Sequence, residues 1–86
     1  MFYYRTRNDK EIDFVLRENN HVKRLVQVSY EMTAEKTIRR ECSALVEAAE
    51  ELHCEELYVL TYKEKKTIEW DGYTIHIQPS SEWLTL

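Results

Sequence analysis

Hydrophobic and polar residues alternate along the first third of the chain with the two-residue period of β-strands. Polar turns separate the alternating segments, and one turn contains Asn19 and Asn20, which tolerate the left-handed backbone that tight turns need. In the middle segment Ile12, Phe14 and Leu16 point to the same side. The pattern therefore predicts three consecutive strands, at residues 2–6, 11–17 and 22–30.

A helical period replaces this alternation in the middle of the chain. Apolar residues recur there every three or four positions, at Ile38, Cys42, Leu45, Val46, Ala49 and Leu52. Thr33 is a suitable N-cap for this helix, and Glu35 complements the positive end of the helix dipole. We expect the apolar stripe to face a sheet. The solvent side of the helix is predicted to carry Glu47, Glu50, Glu51, Arg39 and Arg40.

The last third of the chain predicts three more strands and a short final helix or turn. Residues 56–62, ELYVLTY, are mostly apolar and indicate a strand in the centre of a sheet. Asp71-Gly72 is a strong signal for a tight hairpin between two further strands. The segment 80–86 ends the chain, and we expect Trp83 to pack against the rest of the domain.

These elements follow the order β-β-β-α-β-β-β-short helix, which predicts an α+β or α/β domain with one long helix packed on a mixed sheet. The chain of 86 residues forms one small domain, 1–86. Because it opens with strand-forming residues, we interpret it as the C-terminal piece of a longer protein. A sheet of this size needs cover on both faces. We expect the second face to be covered by preceding sequence or by a partner subunit.

The loop between the second and third strands decides which side chains meet. A two-residue loop would oppose Asp13 to Val26, whereas a three-residue loop would oppose Phe14 to Val26. A one-residue slip moves every side chain to the other face, so burial strongly selects one register. We predict the three-residue loop because it makes one face uniformly apolar. The other face then gathers Glu11, Asp13, Gln27 and Ser29.

This polar group allows two interpretations. Carboxylate and amide oxygens on neighbouring strands suit a hard cation such as Mg²⁺, which could activate water for the cleavage of a phosphodiester. The group lacks a basic residue beside the attacking water, and the candidates to replace it are Lys23, Arg39 and Arg40. Polar residues are also common on the solvent side of any hairpin. An ordinary structural hairpin is therefore the alternative.

Composition narrows the classes of function. The net charge is −4, with nine Lys/Arg against six Asp/Glu in residues 1–40 and three against ten in residues 41–86, so we expect only weak binding to DNA. No apolar run approaches the ~20 residues of a membrane span, and we expect a cytoplasmic protein. Cys42 and Cys54 lack the spacing and the histidine partners of a zinc site, so we expect buried free thiols.

Several stretches of the sequence resemble a known family, namely EIDFVL, LVQVSY, TIRRECSALVEAAEEL, ELYVLTY and TIEWDGYTIHIQPSSEWL. They are similar to the C-terminal domain of prokaryotic AAA-family ATPases, which in turn resembles the PD-(D/E)XK restriction-endonuclease-like fold. The resemblance implies that Asp13 matches the metal-binding aspartate, Gln27 the next acidic or amide position, and Ser29 the position of the catalytic lysine. It also implies a preceding N-terminal helix with an acidic residue, which we expect this chain to lack.

The serine in place of lysine leads us to expect a nuclease-like but non-catalytic interaction or regulatory module of an ATPase. Asp13, Gln27 and Ser29 are then vestigial site positions, with weak metal binding at Asp13, Gln27 and Glu11. We expect no cofactor, and Mg²⁺ only if the site is active. Expected partners are the rest of the ATPase chain and, through an edge strand, a second copy, with weak binding to DNA and none to membranes. Two alternatives are a Mg²⁺-dependent DNA nuclease with a migrated base and a structural or dimerisation domain unrelated to nucleases.

Overall fold

The computed structural model describes residues 2–83, with the side chains of residues 3–82. The elements follow the predicted order. They are β1 (Phe2–Arg5), β2 (Glu11–Glu18), β3 (His21–Val28), α1 (Glu35–Leu52), β4 (Leu57–Thr61), β5 (Lys66–Trp70), β6 (Tyr73–Pro79) and α2 (Ser80–Trp83). The packing expected for Trp83 concerns a side chain outside the described ones. Neither helix in this part of the chain is long and apolar enough to span a bilayer.

The six strands form one mixed sheet in the order β1-β2-β3-β4-β6-β5. Strands β3, β4 and β6 run parallel to one another, and the other neighbouring strands pair antiparallel. Helix α1 makes the connection from β3 to β4, since parallel neighbours need a crossover rather than a tight turn. The architecture is α+β, and β4 lies in the interior of the sheet, as its apolar sequence predicts.

Helix α1 packs its predicted apolar stripe against one face of the sheet. Four residues of the stripe are buried, namely Cys42, Leu45, Val46 and Ala49. The other two, Ile38 and Leu52, are partly buried at the border of the core. The strand residues beneath the helix are completely buried, namely Ile12, Val15, Leu25, Leu57, Val59, Ile75 and Ile77. Cys42 and Cys54 are buried free thiols, as predicted. Burial raises the pKa of the Cys42 thiol to about 11, which keeps it protonated and unreactive.

The N-terminus of α1 is held by a different residue from the predicted Thr33. The helix follows Ala34, which has no side chain able to cap it. The Glu31 carboxylate instead accepts hydrogen bonds from the Thr33 hydroxyl and from the N–H groups of Thr33 and Ala34. These hydrogen bonds lower the pKa of Glu31 to about 2, and the bond from the Thr33 hydroxyl contributes most. The prediction of Thr33 as the cap is wrong because the Thr33 hydroxyl donates to the Glu31 carboxylate, which reaches forward along the chain to the N–H groups before the helix.

Two acids of α1 that are predicted to face solvent hold the turn between β1 and β2. Glu51 accepts hydrogen bonds from the Tyr4 hydroxyl (2.6 Å) and the Arg7 N–H (2.8 Å). Glu47 accepts one from the side-chain amide of Asn8 (2.6 Å). The bond from Tyr4 is the main reason that the pKa of Glu51 is lowered. The solvent prediction is wrong for these two acids because the β1–β2 turn folds over the helix.

Both tight hairpins of the sheet use two residues with positive φ. Asp71 and Gly72 have φ of 49° and 83°, which confirms the predicted turn. Asn19 and Asn20 have φ of 53° and 67°, and β3 begins directly afterwards at His21. The loop between β2 and β3 therefore has two residues, and the prediction of three is wrong.

The predicted register of this hairpin is nevertheless present beyond the turn. The pairing of β2 with β3 shifts by one residue at Lys23, where β3 contains a bulge. Phe14 then pairs with Val26, as a three-residue loop would have placed it. A tight turn and a bulge together produce the register that the burial argument selects.

A second bulge lies in β2, opposite β1. Phe2 pairs with Val15 but Tyr4 pairs with Ile12, so β2 advances three residues where β1 advances two. The extra residue places Ile12 and Val15 on the same face, and both are completely buried. Phe14 points to the other face and is partly exposed. The predicted grouping of Ile12 with Phe14 on one side is wrong because alternation stops at this bulge.

The face predicted to form the core is the one opposite α1. Leu25 and Gln27 of β3 are buried beneath the helix, while Val26 and Val28 point away from it. We name the side of the sheet opposite α1 the open face. Its apolar and aromatic residues in the central strands are Phe14, Leu16, Val26, Val28, Tyr58 and Leu60, and Tyr62 follows directly after β4.

Candidate functional site

Beyond the pair Phe14–Val26, side-chain hydrogen bonds replace the backbone ladder between β2 and β3. The Gln27 side chain replaces the next backbone partner: its Oε1 accepts a hydrogen bond from the Asp13 N–H (2.9 Å), and its Nε2 donates to the Glu11 C=O (2.9 Å). One amide group therefore pairs with two backbone groups of β2 beside the bulge.

Asp13 makes the reciprocal contact with β3. Its Oδ2 accepts a hydrogen bond from the Val28 N–H (2.8 Å). Gln27 is only 2% exposed, and a polar group left unpaired at such depth costs about 1–3 kcal/mol. Both ends of its amide are paired here. We name the side chains of Asp13 and Gln27 the side-chain bridge, because they join the two strands where the backbone ladder ends.

The other two predicted site residues have separate neighbours. The Glu11 carboxylate accepts a hydrogen bond from the Tyr3 hydroxyl (2.6 Å). The Ser29 hydroxyl donates one to the Glu31 C=O (2.8 Å). The structure thus brings the two residues of the side-chain bridge together but directs the side chains of Glu11 and Ser29 to other partners.

Helix α1 adds a carboxylate, that of Glu41, which is not among the predicted site residues. The Oε1 of Glu41 accepts a long hydrogen bond of 3.5 Å from the Gln27 Nε2 and lies 3.9 Å from the Arg40 Nε. Burial raises the pKa of Glu41, the charge of Arg40 opposes this rise, and the charge of Asp13 adds to it. Three polar side chains, one from each of α1, β2 and β3, therefore meet at one place.

The sequence contains a signal for Glu41. At 100° per residue, position 41 falls between Leu52 and Ala48, at the edge of the apolar stripe of α1. An acid flanked by apolar residues at this edge is partly buried and needs a polar partner there. The Glu41 side chain is 13% exposed, and Gln27 provides that partner.

The side-chain bridge and Glu41 line a groove of about 610 Å³ bounded by α1, β2 and β3. The groove also contains cations, but each of them has an acidic neighbour. The ion pairs are Lys10 with Glu47 (3.4 Å), Arg39 with Glu35 (2.9 Å) and Arg40 with Glu41 (3.9 Å). The charges of the groove are therefore mixed, without the excess of positive charge that binds a phosphate backbone.

The residues considered as replacements for the missing lysine differ in position and chemistry. Lys23 pairs with Glu18 (2.9 Å) near the turn, at the opposite end of the hairpin from Ser29. Arg39 and Arg40 line the groove, but a guanidinium stays protonated and cannot take a proton from water. None of these three side chains thus combines the position and the proton affinity of a general base.

The predicted ligands of a Mg²⁺ ion each use one side-chain oxygen in a hydrogen bond within the domain. Within residues 2–83, no group of three or more His, Cys, Asp or Glu side chains is placed to hold a metal ion. The predicted metal ligands are Asp13, Gln27 and, from the hairpin register, Glu11, and each of them accepts a hydrogen bond through a side-chain oxygen. This arrangement fits a strand bridge, in which Asp13 Oδ2 and Gln27 Oε1 are engaged by backbone N–H groups. The assignment of metal ligands stays a prediction.

The comparison with protein families matches residues 1–83 to the family described as Domain of unknown function (DUF4143). No curated protein and no solved structure matches the chain. The matched segment contains the whole sheet, the side-chain bridge and helix α1 with Glu41.

Proposed function

The chain belongs to the family Domain of unknown function (DUF4143), and on this premise we propose that it is a non-catalytic interaction or regulatory module of an AAA-family ATPase. In this module the restriction-endonuclease-like fold is kept and its catalytic chemistry is lost. The sequence resemblance and the hydrogen bonds of the groove support this function.

The observation that carries this proposal is the side-chain bridge. Asp13 and Gln27 occupy the positions that the resemblance gives to metal ligands, yet their oxygens accept hydrogen bonds from backbone N–H groups. These hydrogen bonds give both residues a structural role, namely to join β2 to β3. At the lysine position, the hydroxyl of Ser29 is bonded to a backbone C=O and is not a base at neutral pH.

The element order supports the kinship with the nuclease fold. An antiparallel hairpin, β2–β3, lies beside the parallel strands β4 and β6, and the long helix connects β3 to β4. The candidate positions lie at the end of the hairpin where its ladder gives way to side-chain bonds. A module of this kind would supply a shaped surface to an ATPase without acting on nucleic acid.

Cleavage of plasmid DNA tests the loss of catalysis. The wild-type chain, Asp13→Ala and Asp13→Asn are incubated with supercoiled plasmid in Mg²⁺ or Mn²⁺, and the fraction of nicked and linear product is followed over time. Asp13→Asn keeps an acceptor for the Val28 N–H while removing the charge, so it serves as the variant that preserves the fold. We expect equal residual cleavage by all three proteins.

Metal-dependent cleavage by the wild type that both substitutions abolish would contradict the proposal. Circular dichroism of each variant confirms that it is folded, so that loss of activity is not mistaken for loss of structure. Equal cleavage by the variants assigns any residual activity to a contaminant and supports the non-catalytic role.

A second candidate is the Mg²⁺-dependent nuclease with a migrated base, and Glu41 is the observation in its favour. The helix brings this carboxylate close enough to Asp13 for the charge of Asp13 to raise its pKa. Mg²⁺ is often held by one or two carboxylates with bound waters. If this candidate holds, Glu41→Gln abolishes cleavage together with Asp13→Asn, whereas Glu50→Gln on the exposed side of α1 leaves it unchanged.

A further inference from the structure

All large hydrophobic side chains that are exposed within residues 3–82 lie on the open face. Their exposed fractions are 49% for Tyr3, 38% for Phe14, 51% for Val28, 77% for Tyr30 and 65% for Tyr62. Tyr3 belongs to this face because its neighbour Tyr4 reaches α1 from the other face. Exposed apolar residues scattered singly are normal, but a contiguous patch marks an interaction site.

Tyr30 and Tyr62 form the most exposed part of this surface. Their rings are stacked, with centroids 5.5 Å apart and planes inclined by 14°. The Tyr62 N–H donates to the Tyr30 C=O (3.2 Å), so the ladder of β3 and β4 continues up to the rings. Because stacking and backbone bonds already fix this pair, its burial by a partner costs little conformational entropy.

The other end of the same strands presents a cation among aromatic rings. The Arg24 guanidinium lies 5.4 Å from the centroid of the Tyr58 ring, and this ring stacks on His76 at 5.1 Å. Glu11 and Glu69 contribute negative charge to the same face. The open face therefore carries both signs of charge around an apolar centre.

Area and charge together select the partner. Four exposed aromatic rings and one valine present on the order of 500 Å² of apolar surface, and each partner of a standard interface contributes about 800 Å². The patch with its polar surroundings has the size of such an interface. Mixed charge on the face and a net charge of −4 disfavour a nucleic acid. We propose that the partner is a second copy of this chain. This dimer gives the proposed interaction module a partner and rests on that proposed function.

The two ends of the open face are complementary under two-fold symmetry. An axis lying in the interface and perpendicular to β3 and β4 reverses the direction of these strands in the second copy. It places Tyr30 and Tyr62 of one copy over the row of Arg24, Tyr58 and His76 of the other, and the reverse contact forms at the same time. Arginine against the face of a tyrosine ring is attractive, and two sheets pack face to face at about 10 Å.

Sedimentation equilibrium of the 86-residue chain tests this dimer. The variant Tyr30→Ser/Tyr62→Ser removes the two most exposed rings without touching the core, and its helix-side control is Lys36→Ser/Glu50→Ser, which leaves the net charge unchanged. We expect the wild type and the control to form dimers with the same Kd. The tyrosine variant should remain folded by circular dichroism and raise the dimer Kd by ~10-fold or more.

Wild-type chain that stays monomeric at all concentrations overturns the proposal. A dimer that the tyrosine variant retains with unchanged Kd also overturns it, and assigns association to a surface other than the open face, such as the edge strand β1 or β5. Protection of both tyrosines in a longer, monomeric protein containing this chain would assign the open face to a segment of that protein instead. The readout is mass and not cleavage, so failure of the dimer leaves the plasmid experiment as a separate test of the proposed function.

Discussion

The two faces of the sheet are made by the same strands, but helix α1 covers only one of them. In β3, Leu25 is completely buried beneath α1, and Val28, three residues later, is half exposed on the open face. The helix-covered face includes a polar residue, Gln27, while the open face displays stacked tyrosines. Polarity of the side chains therefore does not decide which face is covered; the position of α1 does.

This difference separates what stabilises the domain from what the domain offers to a partner. On the covered face, Gln27 is tolerated because each end of its amide has a backbone partner. On the open face, Tyr30 and Tyr62 keep most of their surface in water and contribute little to the stability of a monomer. Substitutions on the two faces should accordingly affect different measurements.

The largest effect is expected from a matched pair of substitutions in β3. Leu25→Ala leaves a cavity in the core and should lower the free energy of unfolding by about 2–5 kcal/mol. Val28→Ala, on the open face of the same strand, should lower it by less than ~1 kcal/mol in the monomer. Urea unfolding at low protein concentration measures both. Equal losses would show that the open face is as well packed as the covered one.

A smaller effect should follow from removing the amide of the side-chain bridge. Gln27→Ala leaves the Asp13 N–H and the Glu11 C=O without their partner and should cost about 2–3 kcal/mol. The control, Gln78→Ala, removes a half-buried glutamine side chain of β6 and should cost less than ~0.5 kcal/mol. Thermal unfolding measures the melting temperatures of the two variants. Equal melting temperatures would refute the structural role of Gln27.

The acid that holds the start of α1 provides a prediction in pH. The pKa of Glu31 is lowered to about 2, so its contribution to stability is present above its ordinary pKa and is lost as the pH falls through about 2. Glu31→Gln should therefore have a lower melting temperature than the wild type at pH 7. The difference should shrink steadily below pH 4.5. A difference independent of pH would assign the effect to packing and not to charge.

The smallest effect is expected at the C-terminal end of α1, where His53 follows the last turn of the helix. His53 has φ of 55° and ψ of 51°, a left-handed conformation that glycine adopts without steric cost. His53→Gly should stabilise the domain by about 0.5 kcal/mol, since part of the gain is offset by the freer unfolded chain. His53→Ala, as control, keeps the strain and should not stabilise. Precise melting curves distinguish the two.

Most elements of the fold follow from local sequence patterns. The period of 3.6 residues identifies α1, Asp71-Gly72 identifies a turn, and the apolar run in β4 identifies an inner strand. The faces of β2 do not follow, because a bulge interrupts the alternation between Ile12 and Val15. Bulges depend on how neighbouring strands pair and have no reliable local signature here.

The candidate site was accessible to sequence reasoning only in part. The hairpin register places Asp13 and Gln27 near each other, and the structure joins them through backbone groups. Their burial could not be read from β2 and β3 alone, since it depends on which face α1 covers. Glu41 could have been found, because an acid between Leu52 and Ala48 at the edge of the apolar stripe lies beside the sheet.

Amide hydrogen exchange measured by NMR tests the central claim most directly, namely that Asp13 and Gln27 hold two strands together. In the wild type the N–H groups of Asp13 and Val28 should exchange slowly, and Mg²⁺ in the millimolar range should change neither rate. Gln27→Ala should accelerate exchange at Asp13 more than at Val28, because the Val28 N–H is bonded to the Asp13 carboxylate. Rapid exchange at both positions in the wild type, or release of the Val28 N–H when Mg²⁺ is added, would contradict the account.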